Sequence, residues 1–119
     1  LSKKEYVILY FGNKHCHHCK QFEPKAAEFY KKWKKHKDKF AFIYVSESDK
    51  SKDIRSVGRD LPFPYLKVSK QKVDELKKIN GNDGTPLLYL LDKDLNVKIS
   101  GIAGNVLPQL EQLFSTEFK

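Results

Sequence analysis

Two cysteines stand three apart in Cys16-His17-His18-Cys19, between the apolar run Tyr6-Val7-Ile8-Leu9-Tyr10-Phe11 and a helical stripe. They are the only cysteines in the chain, and their spacing lets one sulfur attack a disulfide while the other resolves the product. A C-x-x-C at a strand-to-helix junction suits a redox dithiol. The first turn of the helix offers unpaired N–H groups and partial positive charge, and both stabilise a thiolate. Zinc sites use the same spacing, so the tetrapeptide alone leaves that chemistry open. Sulfurs this close in sequence cannot staple a fold, so the chain depends on an apolar core.

At 119 residues, 39% hydrophobic and 13% aromatic, the chain predicts a single domain over residues 1–119 with a modest core. No apolar run reaches the length of a membrane span. The net charge of +8 comes largely from lysines such as Lys25, Lys31, Lys32, Lys34, Lys35 and Lys37, which predict a solvated helix face. No recognised motif or aromatic platform accompanies that charge, so nucleic acid is not an expected partner. Acidic proteins or anionic surfaces are compatible with it. Leu1 stands directly before a strand, as in an excised or processed domain. Removal of a signal peptide would mean a secretory or extracytoplasmic compartment, and its absence the cytoplasm.

Residues 5–11 predict a buried strand, mostly β-branched and aromatic. From Cys19, Phe22, Ala26, Phe29, Tyr30 and Trp33 recur at spacings of three and four with lysines opposite, which predicts an amphipathic helix. Pro24 lies inside it and predicts a kink. Phe40-Ala41-Phe42-Ile43-Tyr44-Val45 predicts a second buried strand, residues 46–52 a polar loop, and 53–59 one or two helical turns. Residues 61–65 predict a proline-stiffened extended segment. Val73, Leu76, Lys77 and Ile79 suit a short helix halted at Asn80-Gly81. Past the turn residues Asn82-Asp83-Gly84, residues 87–91 and 97–100 predict an antiparallel hairpin joined across 92–96. Residues 106–118 place Leu107, Leu110, Leu113 and Phe114 on one helical face. The main elements run β-α-β-α-β-β-α, an α/β design with a mixed central sheet and helices on both faces.

With a redox pair between the first strand and first helix and a proline opening the third strand, the chain resembles thioredoxin-fold proteins. It is most similar to their tryparedoxin and nucleoredoxin branch. The residues that carry the resemblance are Val7-Ile8-Leu9-Tyr10-Phe11, Cys16-His17-His18-Cys19-Lys20, Phe22, Pro24, Glu28-Phe29-Tyr30 and Thr85-Pro86. The resemblance runs from the first strand to the last helix. It implies a cis Thr85-Pro86 bond facing the dithiol, although X-Pro bonds are trans by default. It also implies that the Thr85 backbone pairs with a substrate strand. Members usually carry Trp before the first cysteine and Gly-Pro or Pro-Pro between the two, where this chain has His15 and His17-His18. Tyr10 replaces the buried Asp of ordinary thioredoxins and is expected in the core.

Cys16, where loop meets helix, is the expected nucleophile, and Cys19, one turn in, the buried resolving thiol. Protonated His17 and His18, with their backbone N–H groups, would hold Cys16 as thiolate. Stabilising the thiolate stabilises the reduced form, which moves the pair toward the oxidising side by about 30 mV per 1.4 kcal/mol. Glu47, after the second strand, is a candidate proton acceptor for Cys19. His15, His17 and His18 are also metal-ligand types. However, sequence neighbours rarely converge as tetrahedral ligands and no second C-x-x-C closes a shell, so no metal site is expected. His36 lies a helix away. The activity expected is protein thiol–disulfide oxidoreduction by the C-H-H-C dithiol, without an organic cofactor. Its partners would be disulfide-bearing protein substrates and an upstream dithiol donor. The rival is an adaptor or accessory subunit of a translocation or chaperone complex with a secondary redox role, favoured by the missing aromatic at position 15 and by the basic surface.

Overall fold

The first strand, β1 (Tyr6–Gly12), is apolar without alternation, so it needs cover on both faces. The computed structural model, which describes residues 5–47, 50–82 and 84–118, provides it. β1 lies at the centre of the sheet, parallel to β2 (Phe40–Ser46) and antiparallel to β4 (Leu87–Asp92). The short β3 (Tyr65–Leu66) and β5 (Val97–Ile102) form the edges, in the order β3-β2-β1-β4-β5. Four helices join them: α1 (His17–Trp33), α2 (Ser51–Asp60), α3 (Lys70–Ile79) and α4 (Ala103–Glu117), with a 3₁₀ turn at Lys34–His36 after α1.

Because successive side chains of a strand point to opposite faces, β1 divides its residues between two cores. Ile8 and Tyr10 pack with Phe22, Ala26 and Phe29 of α1 and with Val106, Leu110 and Phe114 of α4. Val7 and Phe11 pack on the other face with Val45, Tyr89 and Val73 of α3. Phe114 is fully buried, with ring centroids of Phe29 and Phe40 at 5.3 and 5.0 Å. Full burial of one such ring contributes about 1.5–3 kcal/mol. The outcome is the expected α/β layering around a mixed sheet.

Local signals explain several element ends. Ser69 caps α3 by accepting the Lys72 N–H at 3.2 Å, and Gly81 beyond it takes φ +68°, a left-handed value that favours glycine. In the β4–β5 turn the Asp92 carboxylate accepts the N–H groups of Asp94 and Asn96, each at 2.9 Å. That brace holds Leu95 at φ +66°.

Several boundaries differ from the sequence pattern, among them α4, which begins at Ala103 rather than at residue 106, and β5, which runs on to Ile102. α1 begins at His17 rather than Cys19, and it runs through Pro24. Ser46 still belongs to β2 and Lys52 already to α2, so the polar loop is shorter than 46–52; Ser48 and Asp49 lie outside the described residues, as does Asp83 of the 82–84 turn. β3 is an added strand. Tyr65-Leu66 pairs with Tyr44 and Val45, and the Tyr44 N–H reaches the Pro64 carbonyl at 3.0 Å. Two residues behind a proline carry no alternation to reveal a strand, and such a segment is confined to a sheet edge.

Gly12 ends β1 on the side where Tyr10 also points. A Cβ there would lie 2.7 Å from the Tyr10 hydroxyl oxygen and 2.8 Å from the ring carbon bearing it. Glycine therefore makes room for a buried phenol. Gly12→Ala is expected to destabilise the protein by about 1–3 kcal/mol, the range for overpacking. Urea denaturation should show a lower midpoint at unchanged slope; an unchanged midpoint would mean that the phenol yields freely.

Candidate active site

Where β1 gives way to α1, Cys16 keeps extended backbone and caps the helix, its sulfur accepting the Cys19 N–H at 3.1 Å. The connecting loop is a tight turn. The Asn13 carbonyl accepts the Cys16 N–H at 3.1 Å, and the Asn13 side-chain oxygen accepts the His15 N–H at 3.0 Å. The segment before β4 approaches from across the cleft. The Thr85 hydroxyl donates to the Cys16 sulfur at 3.2 Å, and the Thr85 carbonyl lies 3.8 Å from that sulfur. The Thr85-Pro86 bond is cis. Cys16, Cys19, Thr85 and Pro86 are thus brought together.

The two thiols are free and sit in opposite environments. For Cys16, partial burial raises the pKa. Hydrogen bonds from the Cys19 thiol, the Thr85 hydroxyl and the backbone N–H groups of Cys19 and His18 outweigh it and hold the thiol below its ordinary value of 9.0. Cys19 is fully buried. That burial, together with its bond to Cys16, pushes its thiol up to about 12. At neutral pH Cys19 keeps its proton and can offer it to the neighbouring sulfur.

The histidines divide. The His15 ring points to α2, where its Nε2 lies 3.4 Å from the largely buried Asp53 carboxylate, with the Lys14 ammonium at 4.0 Å. His17 reaches outward to the Gln21 side chain at 3.2 Å, and its ring meets that of His18 edge-on at 5.9 Å. Of the contributions expected from His17 and His18, the backbone N–H of His18 is among the groups that hold the Cys16 pKa down. His36 lies beyond the far end of α1, stacked on Phe118 with centroids 5.3 Å apart. Among the described residues, no group of three His, Cys, Asp or Glu side chains is placed to hold a metal ion.

Glu47 does not stand free to serve Cys19, because its carboxylate is bound by the ammonium of the largely buried Lys77 on α3. The carboxylate beside the resolving cysteine's turn is Glu23. The Tyr10 hydroxyl donates to it at 2.8 Å and lies 3.5 Å from the Cys19 carbonyl. Burial raises the Glu23 pKa, with Asp60 adding to the rise while the Tyr10 bond and Lys20 oppose it. Burial raises that of Tyr10 as well. Glu23 follows Cys19 by four residues, a same-face spacing on a helix. That spacing is the signal by which the sequence could have revealed it.

A thioredoxin-like family model matches residues 4–97. The chain belongs to this family. Its fold matches tryparedoxin from Trypanosoma brucei with TM-score 0.76 at 25% identity, over 90% of this chain and 75% of that one. Native tryparedoxin I from Crithidia fasciculata gives 0.75 at 20%, over 92% and 77%. The thioredoxin domain of a thiol-disulfide oxidoreductase from Bacteroides vulgatus gives 0.75 at 19%, over 95% and 81%. No curated protein matches the sequence. The cysteine pair of this thioredoxin-like chain therefore sits in a fold shared with oxidoreductases.

A discriminating measurement follows from the hydrogen bonds. In alkylation by iodoacetamide followed against pH, Cys16 should react with a midpoint below 9.0, while Cys19 stays protected up to about 12. His18→Ala keeps the N–H and should leave the Cys16 midpoint in place. His18→Pro removes that N–H in the first helical turn, where proline is tolerated, and should move the midpoint upward. An equal upward move in both variants would assign the effect to the ring.

Proposed function

We propose that this chain is a protein thiol–disulfide oxidoreductase in which Cys16 is the nucleophile and Cys19 the resolving thiol. The observation that carries the reading is the opposite setting of the two sulfurs: one half-exposed and favoured as thiolate, the other buried and held as thiol. The thiolate is the attacking species.

The Cys16 thiolate attacks one sulfur of a substrate disulfide. A Cys16–substrate disulfide forms, and the first substrate sulfur leaves as a thiolate that takes up a proton. Cys19 then loses its proton and attacks the Cys16 sulfur. The second substrate thiolate leaves, and the Cys16–Cys19 disulfide remains. Two electrons have passed to the substrate, and an upstream dithiol must return them. Thr85 positions the reacting sulfur through its hydroxyl, and the backbone before Pro86 pairs with the substrate chain. Each hydrogen bond to the thiolate also favours the reduced form, by about 30 mV per 1.4 kcal/mol. The intended partners are therefore disulfide-bearing proteins and a dithiol donor.

Insulin reduction with dithiothreitol as donor tests the reading. Cys16→Ser should bring the rate down to that of dithiothreitol alone. Cys19→Ser should instead accumulate mixed disulfides with substrate, visible on non-reducing gels. Reversed behaviour of the two variants would exchange the roles. A wild-type rate no faster than dithiothreitol alone would favour the adaptor reading.

A further inference from the structure

Beside the dithiol runs a groove of about 440 Å³ between the first turns of α1 and the segments that open β4 and α4. Its floor is apolar: Phe22 and Pro86 are buried, and Ile102 stands at the lip, 59% exposed. Gly104, on the opposite wall, has open space where a Cβ would be, so no described residue fills the groove from that side. The charged or titratable side chains among its lining residues are Lys25 and His18, both exposed. Lys25 has no ion-pair partner among the described residues. Helix α4 carries no charge until Glu111, which is already bound by Lys32 at 3.0 Å and Trp33 at 3.3 Å. The groove thus joins an apolar floor to an ammonium that has no ion-pair partner among the described residues, and it opens at Thr85, whose hydroxyl touches the Cys16 sulfur.

We propose that the preferred substrate is a protein segment in which the attacked cysteine is followed by an apolar residue and then by an acidic one. The apolar side chain covers Phe22, Pro86 and Ile102, and the carboxylate meets Lys25. The proposal rests on the oxidoreductase reading and names its substrate class. No new covalent step is required: the peptide sulfur is the one that Cys16 attacks, and the groove holds the residues next to it. An exposed ion pair is a weak interaction, and partial burial of a leucine side chain is of similar size. The selectivity expected is therefore several-fold for each feature.

The test uses short peptides whose cysteine is a mixed disulfide with thionitrobenzoate, mixed with the fully reduced protein while the released coloured thiolate is followed in a stopped flow. Four sequences around the cysteine suffice: Cys-Leu-Asp, Cys-Leu-Asn, Cys-Leu-Lys and Cys-Ser-Asp. At low salt the second-order rate constant should fall about tenfold from the aspartate to the lysine peptide, with asparagine between. The serine peptide should be several-fold slower than its leucine counterpart. High salt should compress the charge series and leave the leucine effect. Within the Lys25→Glu variant the ratio of aspartate to lysine peptide should invert, and within Ile102→Asp the leucine advantage should shrink. Ratios inside one variant are independent of any change in its overall rate, and circular dichroism checks that each variant is folded. Equal rates for all four peptides would overturn the substrate class and leave the oxidoreductase standing. A ratio unchanged in Lys25→Glu would remove Lys25 from the assignment. No release from any peptide, alongside an insulin rate no faster than dithiothreitol alone, would overturn the oxidoreductase reading itself.

Discussion

The first turn of any helix carries N–H groups without partners inside the helix. In this chain a sulfur supplies one of the missing acceptors. The Cys19 N–H points at Cys16, which caps α1, and the Cys16 environment depends on that geometry. A serine or aspartate cap would satisfy the same groups with oxygen. A sulfur cap gains more from them as an anion, because hydrogen bonds to a charged acceptor are about twice as strong as neutral ones. Stabilising the helix end and stabilising the thiolate are thus the same interaction. The sheet fixes its position, since β1 is paired on both sides and covered on both faces before it releases the chain at Gly12.

Below the cap the chain solves a second problem, a carboxylate drawn inside. Glu23 loses water on the inner side of α1, and the Tyr10 hydroxyl replaces part of that hydration. An unpaired buried charge costs several kcal/mol, whereas a hydrogen-bonded one that can take up a proton costs much less. The arrangement needs a phenol with room at its tip, and Gly12 leaves that room. Three residues that look unrelated in sequence (a core tyrosine, a strand-ending glycine and a helix glutamate) form one unit beside Cys19.

The layers were legible because they rest on periodicity. Apolar runs such as residues 6–11 and 40–45, and the stripe Phe22, Ala26, Phe29 and Trp33, announce buried strands and a packed helix whatever the tertiary details. The cysteines were legible from spacing, and Thr85-Pro86 from the family resemblance. What the sequence hid are pairings that join distant segments through one polar contact: Asp53 with His15, Lys77 with Glu47, Tyr10 with Glu23. Charged residues are common on any surface, so nothing in a linear pattern marks the few that turn inward. The same limit explains the histidines. Their proximity to Cys16 was evident, but the sequence does not tell whether a ring or a backbone N–H faces the sulfur.

The basic character of the chain acts at two ranges. A net charge of +8 would draw any acidic partner from a distance. At physiological salt, however, exposed charges are screened beyond about 8 Å, so scattered helix lysines cannot choose one disulfide among many on the same partner. Choice has to be exercised at the groove, within reach of the reacting sulfur, where only the nearest charges still count. Lys25 stands there, beside the apolar floor that Phe22 and Pro86 form. Lysines elsewhere would set how often partners meet this chain, and the groove would set which sulfur is attacked. Those two quantities respond differently to salt: encounter slows for every acidic partner alike, whereas the ratio between two disulfides on one partner changes only through the charges beside Cys16.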